Sequence, residues 1–190
     1  MHRFLKILPF LALSVMSVPA LARTGAEIKA QFDAGVAAYD AGDYPKAFQL
    51  WWDLRYEDVA AMRNAAMLLR KGQGTDKDPA KAEELYERAA EAGLPTAQAD
   101  LADMLLKGED GHQDVARALP WLKRAAAADH PLAQFELGEM YEVGVPPLVP
   151  RDIEIARQLY TAASSHGMKD AADRLAALPP PSATPMPASK

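Results

Sequence analysis

Ile28, Phe32, Val36 and Tyr39 are spaced to fall near one side of an α-helix, and they predict one over residues 26–41. Gly42-Asp43 breaks it. Tyr44-Pro45 opens a second helix, because proline is tolerated in the first turn, and Ala47, Leu50, Trp51 and Leu54 give it an apolar side. The two make a helical hairpin. A second hairpin follows over residues 59–92. Gly72-Gln73-Gly74 ends its first helix, Asp78 is the N-cap of the next with Pro79 at the favoured first position, and Gly93 ends the unit. A third hairpin is marked by Gly108 and Asp114, a fourth by Gly144 and Asp152. Residues 171–177 begin a fifth unit that stops after one helix, and Asp170, Asp173 and Arg174 suit a polar closing cap.

These units are copies. The run from Ala97 to Gly108, AQADLADMLLKG, returns 36 residues later as AQFELGEMYEVG, and precedes itself by 36 as AMRNAAMLLRKG. Ala82, Ala118 and Ala156 match, as do Leu85, Trp121 and Leu159, and Tyr86, Leu122 and Tyr160. A fixed period of this size marks a repeat architecture. The last interval is two residues longer, and the excess falls in Val145-Pro146-Pro147-Leu148-Val149-Pro150, between the helices of the fourth hairpin. Pro120 lies inside the third hairpin's second helix, so that helix is expected to start late or to bend.

The repeated run L-A/G-x-M-L/Y-x-x-G, then D-x-x-x-A-x-x-L/W-Y/L-x-x-A-A, resembles the Sel-1-like repeat family, a relative of the tetratricopeptide repeats. Leu101, Ala102, Met104, Gly108, Asp114, Ala118, Trp121 and Ala125 carry it in one unit. Leu137, Gly138, Met140, Tyr141, Gly144, Asp152, Ala156, Leu159, Tyr160 and Ala163 carry it in the next. Gly35, Gly42, Tyr44, Ala47 and Trp51 are closer to the tetratricopeptide form. The resemblance implies an all-α fold: a right-handed α-solenoid of about four hairpins plus a capping helix, working through protein–protein contact. The Ala, Gly and Leu positions are then core, since no hairpin buries its apolar side alone.

Composition changes the picture in three places. Cysteine is absent, which excludes disulfides, thiolate metal sites and a cysteine nucleophile. Residues 1–22 read as a cleaved signal peptide: His2, Arg3 and Lys6, an apolar stretch too short to span a bilayer comfortably, then Ala20-Leu21-Ala22. Cleavage there makes Arg23 the first mature residue and places the protein in the periplasm or outside the cell, with no stable membrane insertion. It removes two basic residues and no acid, so the net charge falls from −5 to −7, which argues against nucleic acid as a partner. The repeat domain is residues 23–178, and the proline-rich residues 179–190 read as a disordered tail.

Little in the chain points to catalysis, and no cofactor is expected. His112, His130 and His166 are out of register and form no i, i+4 pair. Ser164, Ser165 and His166 are neighbours on a helix and so diverge. Glu83, Glu84 and Glu87 with Lys81 and Arg88 read as a solvated face. Trp51 and Trp121 are expected in the core, whereas Trp52, about 100° from Trp51 around the helix, is expected either to be exposed as a contact site or to pack against the mature N-terminal segment.

The expected activity is therefore that of an exported scaffold or adaptor for an unknown protein or peptide; a cell-envelope hydrolase or an assembly subunit are the alternatives. In tetratricopeptide-type solenoids the first helix of each hairpin lines the concave face. By that resemblance the groove carries Phe32, Val36 and Tyr39, then Arg63, Met67, Arg70 and Lys71, then Asp103, Leu106 and Lys107, then Phe135, Glu139 and Glu142. Either Arg63, Arg70 and Lys71 hold carboxylates of the bound segment while Phe32, Tyr39 and Met67 take its apolar side chains, or these charges are solvated and Phe32 and Tyr39 belong to a terminal core.

Overall fold

The structure, a computed structural model, describes residues 22–109, 111 and 113–181. The expected signal peptide and proline-rich tail lie outside these residues, apart from position 22 and positions 179–181. The described residues form nine helices: α1 (Gly25–Asp40), α2 (Tyr44–Leu54), α3 (Val59–Lys71), α4 (Pro79–Glu91), α5 (Pro95–Lys107), α6 (Val115–Ala127), α7 (Pro131–Val143), α8 (Ile153–Ser165) and α9 (Lys169–Ala177). Each packs on the helix before it and the helix after it, so four hairpins stack in a row and α9 closes the last. The fold is the expected α-solenoid.

One device closes each hairpin. The carboxylates of Asp43, Asp78, Asp114 and Asp152 accept a backbone N–H in the first turn of the helix that follows. The backbone N–H of the last three donates to the carbonyls of Leu69, Leu105 and Tyr141 at 2.8–3.0 Å. Those acceptors are 36 residues apart, so the last hairpin closes like the others despite its two extra residues. The excess is folded into a small loop in which Val145 N–H donates to Val149 O at 2.7 Å and Val149 is buried.

Inside each hairpin a small residue on the first helix lies under a large one on the second. A Cβ on Gly35 would lie 2.4 Å from Trp51 Nε1, and one on Gly138 would lie 2.7 Å from Tyr160 Cε1. Ala66 and Ala102 hold the equivalent positions and are fully buried. Between hairpins a latch is repeated: buried Gln98 donates to Ala90 O at 3.1 Å, and Gln134, 36 residues on, donates to Ala126 O at 3.3 Å.

Four details refine the sequence reading. Helix α6 starts directly after Asp114 rather than late; Pro120 sits on its exposed side, so the carbonyl that lacks a partner, on exposed Ala116, faces water. Trp121 is half-buried rather than core, with the Arg124 guanidinium 4.8 Å above its ring. Trp52 is half-buried rather than exposed, stacked on Phe48 and covered by Arg55. Glu83 is not merely solvated: Arg117 of the next unit reaches it at 2.8 Å.

Candidate functional site

Three recesses follow one another along the face made by the odd-numbered helices. The first, about 450 Å³, lies between α3 and α5 and is lined by Arg63, Met67, Arg70, Lys71 and Lys107 among others. The second, also about 450 Å³, lies between α5 and α7, with Leu106, Glu136, Glu139 and Glu142 in its walls. The third, about 360 Å³, lies between α7 and α9 and takes in Phe135 and Arg174. Asp103 and Lys107 border both the first and the second; Glu139 and Arg174 border both the second and the third. The result is one groove crossing three repeats. Ten of the thirteen residues expected in a groove border these recesses. Phe32, Val36 and Tyr39 border none of the three recesses. Phe32 and Tyr39 instead pack on Trp51, with ring centroids 6.3 and 5.8 Å away, as part of the terminal core.

The basic patch is not free. Arg63 Nε donates to Asp100 Oδ2 at 2.5 Å, and its Nη1 to Asn64 Oδ1 at 3.2 Å. Arg70 donates through Nε and Nη2 to both oxygens of Glu109, at 2.9 and 2.5 Å, and through Nη2 to Asp103 Oδ2 at 2.5 Å. Lys107 adds a contact of 2.8 Å to the other Asp103 oxygen. The carboxylates assigned to a partner are thus supplied by the next repeat of this chain. The reason is geometric: neighbouring first helices bring the basic column of α3 against acidic positions some 33–39 residues later. The hydrogen bonds to Glu109 outweigh burial and hold the Arg70 guanidinium charged. Burial pushes the Asp103 carboxyl up, but the hydrogen bonds from Lys107 and Arg70 prevail and leave it below the usual range. Lys71 and Lys77, both exposed at the edge of the first recess, make no ion pair among the described residues.

The second recess has the opposite character. Arg174 approaches Glu139 at 2.8 Å and Glu142 at 3.7 Å, and Tyr160 OH donates to Glu142 at 2.7 Å. Glu136 is left over. Its Oε2 is inaccessible to water and has no hydrogen-bond partner among the described residues. Burial, together with the charges of Asp103 and Glu139, pushes its carboxyl up to about 7 against the opposing pull of Lys107 and Arg70. Sequence reading passed over Glu136. The available signal was the column Asn64, Asp100, Glu136, a polar position at 36-residue spacing beside buried Ala65, Leu101 and Leu137.

A pH dependence follows. The folded chain binds this proton more tightly than the unfolded chain, whose carboxyl has an ordinary value near 4.5. Its contribution is therefore complete at acid pH and lost as pH rises through 7. Glu136→Gln should gain about 1–2 kcal/mol at pH 8, with solvent screening taken into account, and nothing near pH 4. Urea unfolding at the two pH values checks this; an unchanged pH dependence in the variant would refute it.

The remaining polar candidates serve the helices. His130 Nδ1 accepts Ala133 N–H at the start of α7, and burial lowers its pKa; His166 ends α8. Ser164 and Ser165 donate to carbonyls three residues back. His112 lies outside the described residues.

The Sel1 repeat matches three times, over residues 59–94, 95–130 and 131–168. The chain belongs to the Sel1 repeat family. A Sel1 repeat protein from Oxalobacter formigenes is 30% identical with a TM-score of 0.70, over 76% of this chain and 58% of that one. A protective antigen of uropathogenic Escherichia coli with an SLR fold is 23% identical with a TM-score of 0.72, over 79% of this chain and 33% of that one. An immunity protein from Pseudomonas aeruginosa shares the fold at 24% identity and a TM-score of 0.58, over 83% and 60%. This chain therefore spans less than two thirds of each. No curated protein sequence is significantly similar. Sel1 repeats generally build scaffolds for protein contact and are typically not enzymes. Among the described residues no helix is long and apolar enough to cross a membrane.

Proposed function

We propose that this Sel1 repeat protein is an exported scaffold that holds an extended segment of a partner protein in the groove along α3, α5, α7 and α9. The observation that carries this reading is the continuity of the three recesses across repeats, with unmatched charge in the first two: Lys71 and Lys77 at the first, Glu136 in the second. Arg63 and Arg70 act differently from the expectation. Held by Asp100, Asp103 and Glu109, they fix the shape of the groove, and Lys71 and Lys77 are left to meet acidic groups of the partner. Met67 and Leu106 offer apolar contact beside these charges. Export rests on the tripartite character of residues 1–22.

The test is capture of a partner from an envelope extract by the tagged chain. The mature protein should begin at Arg23, and recovery of Met1 on a membrane-bound species would overturn export. Lys71→Glu with Lys77→Glu should weaken the captured complex at least tenfold and flatten its salt dependence. Lys123→Glu, on the exposed side of α6, should leave both unchanged. Equal effects from the two variants would contradict the groove assignment.

A further inference from the structure

We propose that the recess between α5 and α7 is a pocket for one lysine or arginine side chain of an extended protein segment, with Glu136 as the carboxylate that receives it. This rests on the reading of the odd-helix face as a peptide groove and adds what one of its subsites selects.

The pocket has the two parts that a long basic side chain needs. Leu106, Met140, Val143 and Val145 supply apolar wall for a methylene stem. Four carboxylates, Asp103, Glu136, Glu139 and Glu142, face two cations, Lys107 and Arg174. Those cations are already engaged. Lys107 lies on Asp103, and Arg174 on Glu139 and Glu142, the last of which also accepts from Tyr160. Glu136, which also lines the recess, is alone among the four in making no ion pair and no side-chain hydrogen bond among the described residues. A half-buried carboxylate without a cation is unfavourable, and a charged donor that reaches it from the recess offers the strongest compensation. Burial first, and then the charges of Asp103 and Glu139, raise the affinity of its carboxyl for a proton. An ammonium or guanidinium entering along the apolar wall supplies that charge. An acidic side chain meets net repulsion, and a neutral apolar one leaves Glu136 unpaired. The volume, about 450 Å³, lies within the range of sites that enclose small groups. The neighbouring recess is bordered by Lys71 and Lys77, so the groove presents opposite preferences to successive parts of one ligand.

The experiment uses the full mature chain and four labelled, end-blocked octapeptides that differ only at one central residue: lysine, arginine, norleucine or glutamate between leucines. Fluorescence anisotropy reads their affinities. The lysine and arginine peptides should bind at least tenfold more tightly than the norleucine peptide, with the glutamate peptide weakest. In Glu136→Gln, checked by circular dichroism for an intact helical fold, lysine and norleucine peptides should bind within about twofold of each other. A lysine preference that survives Glu136→Gln would overturn the assignment. So would equal binding of lysine and norleucine peptides to the wild type. If that equal binding were lost in Leu106→Asp, the groove would stand and only the cation pocket would fall. If no peptide bound at all, the pocket would fall, and the groove with it should the captured partner prove insensitive to Lys71→Glu and Lys77→Glu.

Discussion

Gly138→Leu should destabilise the protein by about 3 kcal/mol, the upper part of the range for overpacking a core. The position leaves no room even for the first carbon of a side chain, since a Cβ there would stand 2.7 Å from Cε1 and 2.9 Å from Cδ1 of Tyr160. Tyr160 cannot swing away cheaply. It is fully buried, packs on Phe135 with ring centroids 5.7 Å apart, and donates its hydroxyl to Glu142. Gly138→Ala should cost less, because alanine occupies the same register at positions 66 and 102. Glu87→Ala, on a side chain 43% exposed and 3.6 Å from Arg117, should stay within about 0.5 kcal/mol. Thermal and urea unfolding of the three variants give the comparison. Equal shifts for Gly138→Leu and Glu87→Ala would contradict the packing described.

Arg70→Met should lower stability by about 2–3 kcal/mol at pH 7. The guanidinium is 13% exposed and sits between Asp103 at 14% and Glu109 at 24%. Removing one partner of a buried ion pair leaves the other charges uncompensated, a larger effect than the pair's own net contribution. The sign with pH is fixed by the carboxylates. Both Asp103 and Glu109 are held below their usual range in the folded chain, Glu109 chiefly by its hydrogen bonds from Arg70. Stability from such groups is present above the unfolded carboxylate range and is lost as pH falls through the folded values. The gap between wild type and Arg70→Met should therefore close as pH is lowered toward 3. A gap that stayed constant with pH would show that Arg70 acts only by packing.

The repeat register was legible because it is written in residue types that physics restricts. Asp78, Asp114 and Asp152 were readable as caps, Gly138 as a crossing point, and the loop at 145–150 as the place where length is absorbed. All of these are local or periodic features. What sequence reading missed depends on which repeat faces which. Arg63 and Arg70 read as a free basic patch because their acids lie more than thirty residues away, and a period of 36 does not by itself say that column 63 meets column 100. Glu136 was hidden for the same reason: one more glutamate beside Glu139 and Glu142, until the recess between α5 and α7 shows which carboxylates have cations. Phe32 and Tyr39 have the spacing of groove residues, yet they turn to Trp51, which lies over Gly35 within their own hairpin. Gln98 and Gln134 lay in plain view within the repeated Ala-Gln, and only the i−8 hydrogen bond explains them.

The central claim is that a partner's extended segment lies along the odd-numbered helices. Site-specific photo-crosslinking tests it most directly, with a benzophenone amino acid placed at Leu106 in the groove or at Lys123 on the exposed side of α6. Under native conditions the partner should be trapped from Leu106 and not from Lys123, and peptide mapping of the adduct should place a lysine or arginine next to the crosslinked residue. Adducts formed from Lys123 alone, or equally from both positions, would contradict the account.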